Sequence, residues 1–369
     1  MGHIVPLSQI AVAMQAQGHR VALAVNDLTH APQLLAPHGI PCFQAPRFVP
    51  PAAPRTPLRN HADVLRFNGY DQADRLHSLI NAWRDLLRLL RADKVICEFA
   101  PTAQLAAGSM AIPAVSLDNG FYMPPPQDPM PPLRVDEPAG PLLLRQSEKR
   151  VLETVNAVLA RLGSAALPRF CALYQGEVWY RNWTEFNHYG AHSPQRHVGQ
   201  IFGPSVGAAP VWPVGDGPRI FAYVKADNPA ALDMLRSAIS AGFRILAYLP
   251  GHRQSDIEAL RRSGRAHISA QPVCLAQLDH EIEIGVWQSP TGGIGHSLEK
   301  GMRMLFLPTQ VEQLRACLAV RRAGLPAYVA MGEESWMAVF DKLLGMPRVG
   351  LNRHWQPADV PRLAALLAG

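Results

Sequence analysis

Apolar and polar stretches alternate along the chain in a pattern that predicts helices and strands in turn. Residues 5–17 have helical spacing and end at Gly18, and residues 19–25 (HRVALAV) then predict a buried strand. The alternation continues through DKVICEF and IPAVSL, and later through RIFAYVKA and IEIGVWQ. Helices that alternate with apolar strands are typical of parallel sheets with crossover helices, so the pattern predicts an α/β fold.

The chain has 369 residues, which is enough for two domains of ordinary size. Residues 205–218 (SVGAAPVWPVGDGP) contain Gly, Ala and Pro with almost no charge, which indicates a linker. We therefore predict an N-terminal domain over 1–204, a C-terminal domain over 219–350 and a helical tail over 351–369.

Two stretches of the N-terminal domain break the alternation. Residues 120–143 are rich in proline and predict an extended surface loop. A helix is predicted near 146–161, and the sequence is then irregular up to 197–204.

The composition is that of a globular protein, with 48% hydrophobic and 17% charged residues, which excludes disorder and coiled coil. No apolar run approaches the ~20 residues of a membrane-spanning helix, and the first residues lack the basic region of a signal peptide. The five cysteines lie far apart, so neither a disulfide framework nor a zinc site is indicated. These features favour a cytoplasmic protein.

Lys and Arg exceed Asp and Glu by 35 − 29 = 6. A mild positive excess suits an anionic small ligand or, as a second interpretation, peripheral contact with an anionic membrane surface. The basic residues are not clustered with aromatic residues, so a nucleic-acid partner is not expected.

The segment at 289–316 (SPTGGIGHSLEKGMRMLFLPTQVEQLRA) carries the strongest candidate chemistry. It predicts a glycine turn, a helix, a strand and a second helix. Gly292, Gly293 and Gly295 have no Cβ, so a phosphate can approach the backbone where the helix N-terminus directs its free N–H groups. Glu299 is placed to accept hydrogen bonds from sugar hydroxyls. An ordinary glycine turn is the alternative, and the spacing is not a dinucleotide fingerprint.

This segment resembles the donor-binding signature of the UDP-glycosyltransferase family, H-G-G-x-G-S-x-x-E followed by P-x-x-x-(D/E)-Q. The resemblance implies that Glu299 binds the ribose of the donor and that Glu312 and Gln313 hold its sugar hydroxyls. Thr291 stands where the family has a histidine against the diphosphate, and His296 replaces the usual Ser or Thr. His296 either substitutes for the missing histidine or caps the helix.

The N-terminal sequence GHIVPLSQIAVAMQAQGHRVALAV is similar to the opening of the same family. This similarity implies that His3 is the general base and that Glu98, at the end of DKVICEF, is its carboxylate partner. Pro272 and Val273 lie in a stretch that looks like the loop whose backbone meets the nucleobase. The resemblance covers about residues 1–365.

The family resemblance implies a GT-B fold, with two Rossmann-like domains facing a central cleft. It also implies an inverting, metal-independent transfer of sugar from a UDP- or dTDP-sugar to a hydroxyl of a small acceptor, with no cofactor. The proline, methionine and aromatic residues at 121–133 resemble the acceptor-side loop of bacterial members and favour a hydrophobic acceptor.

The chain departs from the family pattern in two places. The family has a buried strand before the first G-H, so we expect either a natural start upstream or a weakly fixed His3 with low activity. Thr291 lacks the family's diphosphate contact. Lys225, at the end of RIFAYVKA, is a further candidate to reach the phosphates, although the family has a small residue near this position. Both departures favour the alternative function, a nucleotide-sugar-binding protein without transferase activity. The retained His3, Glu98 and Glu299 favour the enzyme.

Overall fold

The computed structural model describes residues 4–54, 56–134, 139–203, 207–332, 335–352 and 354–369, with only the backbone at 194, 290 and 291. The helices in this part of the chain are α1 (Ile4–Ala16), α2 (Ala31–Leu35), α3 (His61–Leu65), α4 (Ala73–Leu90), α5 (Pro101–Gly108), α6 (Pro141–Arg161), α7 (Ala231–Ser240), α8 (Gln254–Arg261), α9 (Pro290–Lys300), α10 (Val311–Arg322), α11 (Trp336–Leu344) and α12 (Val360–Ala368). The strands are β1 (Leu23–Val25), β2 (Cys42–Gln44), β3 (Val95–Cys97), β4 (Ala114–Asp118), β5 (Glu177–Tyr180), β6 (Arg219–Tyr223), β7 (Arg244–Tyr248), β8 (Ala266–Ser269), β9 (Ile282–Trp287), β10 (Arg303–Phe306) and β11 (Ala327–Val329).

The chain divides into two compact units, which differ in part from the boundaries expected from the sequence. Unit 1 comprises residues 1–184, 191–201 and 358–369, and unit 2 comprises residues 185–190 and 202–357. The last helix, α12, therefore packs with the N-terminal unit.

Unit 2 contains a six-stranded sheet in which every neighbouring pair is parallel. The strand order is β11-β10-β9-β6-β7-β8, so the chain starts in the middle at β6, runs out to β8 and returns to the other side of β6 at β9. This is the doubly wound order of a Rossmann-like domain, and it reverses between β6 and β9. The strands of this sheet are apolar in sequence because both of its faces are covered.

Unit 1 is built on two smaller parallel sheets. Within the described residues, β1 pairs with β2, and β4 lies between β3 and β5. Helix α1 packs against both sheets, because Ile4 and Ala11 contact the side chains around Leu23 while Ile10 lies among Val115 and Leu117 of β4. The helix therefore holds the two sheets of the unit together.

The proline-rich stretch of unit 1 is not the extended surface loop that the sequence predicts. Phe121, Met123, Met130 and Leu133 are all buried, and α6 begins at Pro141. These side chains fill the core of unit 1, so the apolar character of the stretch is not by itself a sign of a hydrophobic acceptor.

Five elements are absent from the sequence-based pattern: α2, α3, β5, β11 and α11. Strand β5 lies in the part of the chain expected to be irregular. None of the helices that the structure describes is long and apolar enough to cross a membrane.

We expect Ile10→Ala to lower the free energy of unfolding by about 2–5 kcal/mol, because Ile10 is 2% exposed between β4 and α12 and its removal leaves a cavity. Urea denaturation measures this change. Leu89→Ala is the control, since Leu89 is 73% exposed and its loss should cost within about 0.5 kcal/mol. Equal effects of the two changes would show that α1 does not hold unit 1 together.

Candidate functional site

The strongest candidate site in unit 2 lies where the carboxyl ends of β6 and β9 meet. Ligands of open parallel sheets bind beyond the carboxyl ends of the strands, at the point where the strand order reverses. Tyr223 at the end of β6 is paired with Trp287 at the end of β9, so the residues that follow these two strands are neighbours.

Gln288, directly after β9, links the ends of three strands through one buried carboxamide. Its Oε1 accepts a hydrogen bond from the backbone N–H of Lys225 after β6, at 2.9 Å. Its Nε2 donates to Oδ1 of Asp227 at 2.8 Å and to Oγ1 of Thr309, after β10, at 2.9 Å. A buried amide with all these partners is held in one orientation, so the floor of the site is rigid.

Lys225 supplies a positive charge at this floor. Lys225 comes two residues after β6, as Ser289 comes two residues after the neighbouring strand β9. Lys225 is exposed, and within the described residues it makes no ion pair with a carboxylate. It is therefore a candidate partner for an anion bound at the start of α9.

Helix α9 begins with free backbone donors. Ser289 is the N-cap residue, but its side chain makes no capping hydrogen bond, and Pro290 has no N–H. The first N–H groups of the helix therefore belong to Thr291 and Gly292, and they carry the partial positive charge of the helix N-terminus. A Cβ at Gly292 would meet no atom within 4 Å, so a ligand can approach the backbone there.

Gly293 has a different role from Gly292. A Cβ added to Gly293 would lie 2.3 Å from the ring of Trp287, which packs beneath the helix and donates from Nε1 to Ser297 Oγ at 2.9 Å. The glycine is thus required by the packing of α9 on β9. Gly295 is buried in the same helix.

His296 lies in the second turn of α9 and does not cap the helix, which corrects one of the two roles expected for it. Its Nδ1 is 3.2 Å from Oε2 of Glu299, and its ring packs against Phe202 with centroids 5.0 Å apart. Burial lowers the pKa of His296, although the hydrogen bond with Glu299 opposes this change. A ring that carries its proton on Nδ1 donates to Glu299 and orients this carboxylate, whose side chain is 34% exposed.

The predicted nucleobase loop is fixed by Ala208. The N–H of Ala208 donates to Pro272 O at 2.8 Å, and the N–H of Cys274 donates to Ala208 O at 2.9 Å. In such a parallel bridge the N–H and C=O of Val273 point to the opposite side, so they are directed away from Ala208. The backbone groups of Val273 therefore take no part in this bridge.

The predicted donor residues follow one another along α9. Lys300 donates from Nζ to Ala276 O at 3.2 Å, which ties the end of the helix to the segment after Val273. Glu299 immediately precedes Lys300 in α9, whereas Gly292 is seven residues before Glu299, about 10 Å along the axis.

Glu312 and Gln313 lie in the first turn of α10, after β10. Gln313 Oε1 accepts the N–H of Thr309 at 2.9 Å, which fixes the orientation of its carboxamide group. Since Thr309 also binds Gln288, the pair is connected to the floor of the site.

Unit 1 contains a second cluster of polar residues at the carboxyl ends of its strands. Glu98 follows β3 and forms a buried ion pair with Arg181, which follows β5; the two side chains are 1% and 5% exposed. Arg181 donates from both Nε and Nη2 to Glu98 Oε1, with the Nε bond at 3.1 Å. Because β4 lies between β3 and β5, the arginine side chain crosses the end of the middle strand.

Asp118, the last residue of β4, lies under this ion pair and is fully buried. Its Oδ1 accepts the N–H groups of Gly120, Tyr122 and Met123 at 2.6, 3.2 and 3.3 Å. Burial raises the pKa of Asp118 to about 6, while the Gly120 hydrogen bond and the charge of Arg181 oppose the increase. The carboxyl group therefore holds the start of the loop that follows β4.

Sequence reasoning singled out Glu98 and the three glycines, which lie within α9 and not in a turn before it, but it missed Gln288, Arg181 and Asp118. Each of these follows or ends an apolar strand, and this position was the available signal. His3 lies outside the described residues, as does the side chain of Thr291. No group of three or more His, Cys, Asp or Glu side chains suited to a metal ion occurs in the described part of the chain.

We expect Gly293→Ala and Gly292→Ala to have opposite effects on stability, although both replace a glycine in the first turn of α9. The Cβ at 293 overlaps the Trp287 ring, so this change should cost about 1–3 kcal/mol or more. The Cβ at 292 meets open space, so that change should be neutral or stabilising by up to about 1 kcal/mol. Urea denaturation of the two variants compares them, and similar losses would contradict the packing role of Gly293.

We expect Asp118 to make unfolding easier as the pH rises from about 4 to 6. The carboxyl pKa in the unfolded chain is near ~3.9, so in this window the unfolded state has lost the proton that the folded state keeps. Asp118→Asn keeps the Oδ1 acceptor and cannot titrate. The unfolding free energy of the wild type should therefore fall relative to that of the variant between pH 4 and 6. Parallel urea-stability curves against pH would refute this assignment.

The sequence matches no protein-family model and is not significantly similar to any curated protein. Its fold is nevertheless that of several solved glycosyltransferases. Spinosyn rhamnosyltransferase SpnG has a TM-score of 0.65 at 16% identity, and the match covers 100% of this chain and 92% of SpnG. The kitacinnamycin glycotransferase has a TM-score of 0.70 at 15% identity, covering 100% and 95%. SnogD from Streptomyces nogalater has a TM-score of 0.61 at 15% identity, covering 100% and 97%.

These matches extend over the whole chain at identities too low to carry more than the fold. The predicted α/β architecture and the resemblance to the UDP-glycosyltransferase family are thereby confirmed at the level of the fold. The chain has the GT-B fold of bacterial natural-product glycosyltransferases.

Proposed function

We propose that the protein is a glycosyltransferase that moves a sugar from a nucleoside-diphosphate donor to a hydroxyl of a small acceptor. The fold supports this proposal, and two of the similar structures indicate the class of ligand. One is SpnG complexed with thymidine diphosphate, and the other is SpnG complexed with spinosyn aglycone. A UDP- or dTDP-sugar is the corresponding donor class for this chain.

The observation that carries the proposal is the anion site between β6 and β9. Lys225 and the first N–H groups of α9 follow the paired strands β6 and β9, and the backbone N–H of Lys225 is held by Gln288. The diphosphate that leaves the sugar gains negative charge in the transition state, and fixed donors aimed at this charge lower the barrier. Lys225 takes over the role of the histidine that Thr291 replaces.

The remaining groups have the following roles in the proposed reaction. His3 accepts the proton of the acceptor hydroxyl, whose oxygen attacks the anomeric carbon while the bond from that carbon to the diphosphate oxygen breaks. Glu98 supports the imidazolium that forms. A single displacement inverts the anomeric configuration, and the diphosphate charge is balanced by the protein without a metal ion.

Binding of a nucleotide sugar without transfer is the second candidate function. The ion pair between Glu98 and Arg181 favours it, because a carboxylate already neutralised by a guanidinium group stabilises an imidazolium less strongly. The two functions differ in turnover, so one set of variants separates them.

We expect Lys225→Ala to weaken binding of UDP or dTDP about tenfold or more, since a charge-assisted hydrogen bond to phosphate is lost. Titration calorimetry measures this affinity. Lys149→Ala is the control, because Lys149 is an exposed lysine of α6 in unit 1 and should leave the affinity unchanged. An unchanged affinity in the Lys225 variant would remove this residue from the site.

His3→Ala decides between the two functions in the same preparation. In an enzyme, donor- and acceptor-dependent release of nucleoside diphosphate should fall by about 10²–10⁴-fold with nucleotide affinity retained. A protein that binds UDP or dTDP tightly but releases no diphosphate from any nucleotide sugar, with or without this change, would be a binding protein.

A further inference from the structure

Two aromatic side chains form a stacked pair at the carboxyl edge of the β3-β4-β5 sheet of unit 1. Phe99 follows Glu98 directly, and Tyr122 lies in the loop after β4. Their ring centroids are 4.1 Å apart with an interplanar angle of 23°. Both residues are partly exposed, whereas Phe121 and Met123 on either side of Tyr122 are buried in the core.

The backbone at Phe99 is in a conformation that favours glycine. Its φ of 41° lies in the left-handed region, which is a genuine outlier for a bulky residue. Unfavourable backbone conformations of this kind are kept where the surrounding structure requires them, and they concentrate at ligand sites. Core packing does not account for the conformation, because the Phe99 ring stays partly exposed.

The loop that carries Tyr122 is fixed from below. The N–H of Tyr122 donates to Asp118 Oδ1 at 3.2 Å, and the N–H of Phe121 donates to Asn119 Oδ1 at 3.0 Å. Asn182 Nδ2 donates to the backbone O of Asn119 at 2.7 Å. The rings are therefore presented by a rigid support, which lowers the entropic cost of binding a ligand.

We propose that Phe99 and Tyr122 form the acceptor subsite and that its ligand is an alcohol or phenol with a flat aromatic ring system. This inference rests on the proposed function. A flat ring continues the stack and gains the offset π contact, whereas a puckered ring of the same size buries similar area without it. Glu98 immediately precedes Phe99 in the chain, so this subsite lies at the same sheet edge as the carboxylate proposed to support the base.

The test compares two probes that share a ten-carbon skeleton and one hydroxyl group, 2-naphthol and decahydro-2-naphthol. Equilibrium dialysis of the full-length protein without donor gives their affinities. We expect 2-naphthol to bind at least threefold more tightly. Phe99→Gly and Tyr122→Leu should each weaken 2-naphthol binding about three- to tenfold and change decahydro-2-naphthol binding less than twofold.

The variants separate loss of the ring from loss of the fold. Phe99→Gly removes the ring while glycine adopts a φ of 41° without strain, so the melting temperature should be retained. Tyr122→Leu removes the other ring without changing the backbone at Phe99. If the Phe99 variant does not fold, the binding result of the Tyr122 variant alone tests the inference. Phe43→Leu, at a partly exposed aromatic residue of β2, is the control and should keep the preference for 2-naphthol.

The inference is overturned if neither compound binds, if the wild type shows no preference, or if the preference survives in a folded Phe99 or Tyr122 variant. Because no donor is present, these results are independent of turnover. If the protein prefers 2-naphthol but releases no diphosphate from any donor, the proposed function is refuted and the aromatic subsite is retained. If it releases diphosphate but shows no preference between the two probes, the proposed function is retained and the aromatic subsite is refuted.

Discussion

Buried polar side chains at the carboxyl ends of parallel strands must find hydrogen-bond or ion-pair partners among one another, and this constraint applies in both units. In unit 2 the carboxamide of Gln288 connects the ends of β6, β9 and β10 through Lys225, Asp227 and Thr309. A buried amide that lost these partners would leave unpaired groups at a cost of about 1–3 kcal/mol each. The loops that begin here are therefore fixed by the same bonds that stabilise the sheet.

Unit 1 meets the same constraint with charges instead of an amide. Arg181 reaches across the end of β4 to Glu98, and Asp118 uses its buried oxygen to hold three peptide N–H groups. Removing one partner of a buried ion pair usually costs about 3–5 kcal/mol, so Arg181 and Glu98 depend on each other. The aromatic pair of Phe99 and Tyr122 is built on this charged support.

Much of the fold could be predicted from the sequence because the strands of a covered parallel sheet are continuously apolar. Strands β6 and β9 are of this kind and lie where the pattern predicts them. Strand β5 has no such run, because Glu177 is exposed and its neighbours are only partly buried. Its pairing with β4 stabilises it, and pairing partners are not visible in a local pattern.

The donor half of the candidate site could be predicted less evenly. Motif spacing predicts Gly292, Glu299 and Gln313; the first two lie in α9, and Gln313 lies in the first turn of α10. Gly293 belongs to the same motif, but its lack of a Cβ is explained by the ring of Trp287. Neither a motif nor a composition shows whether a glycine leaves space for a ligand or for a neighbouring side chain of the protein.

The sequence by itself determined the alternation of most helices and strands and the α/β fold class, because these follow from local periodicity; the glycines expected in a turn lie instead within α9. Only the tertiary structure decided that Arg181 pairs with Glu98, that Gln288 joins three strands, and that the proline-rich stretch fills a core. These contacts join residues up to 83 positions apart. Their energies depend on burial and on the meeting of strand ends, which no local window of residues contains.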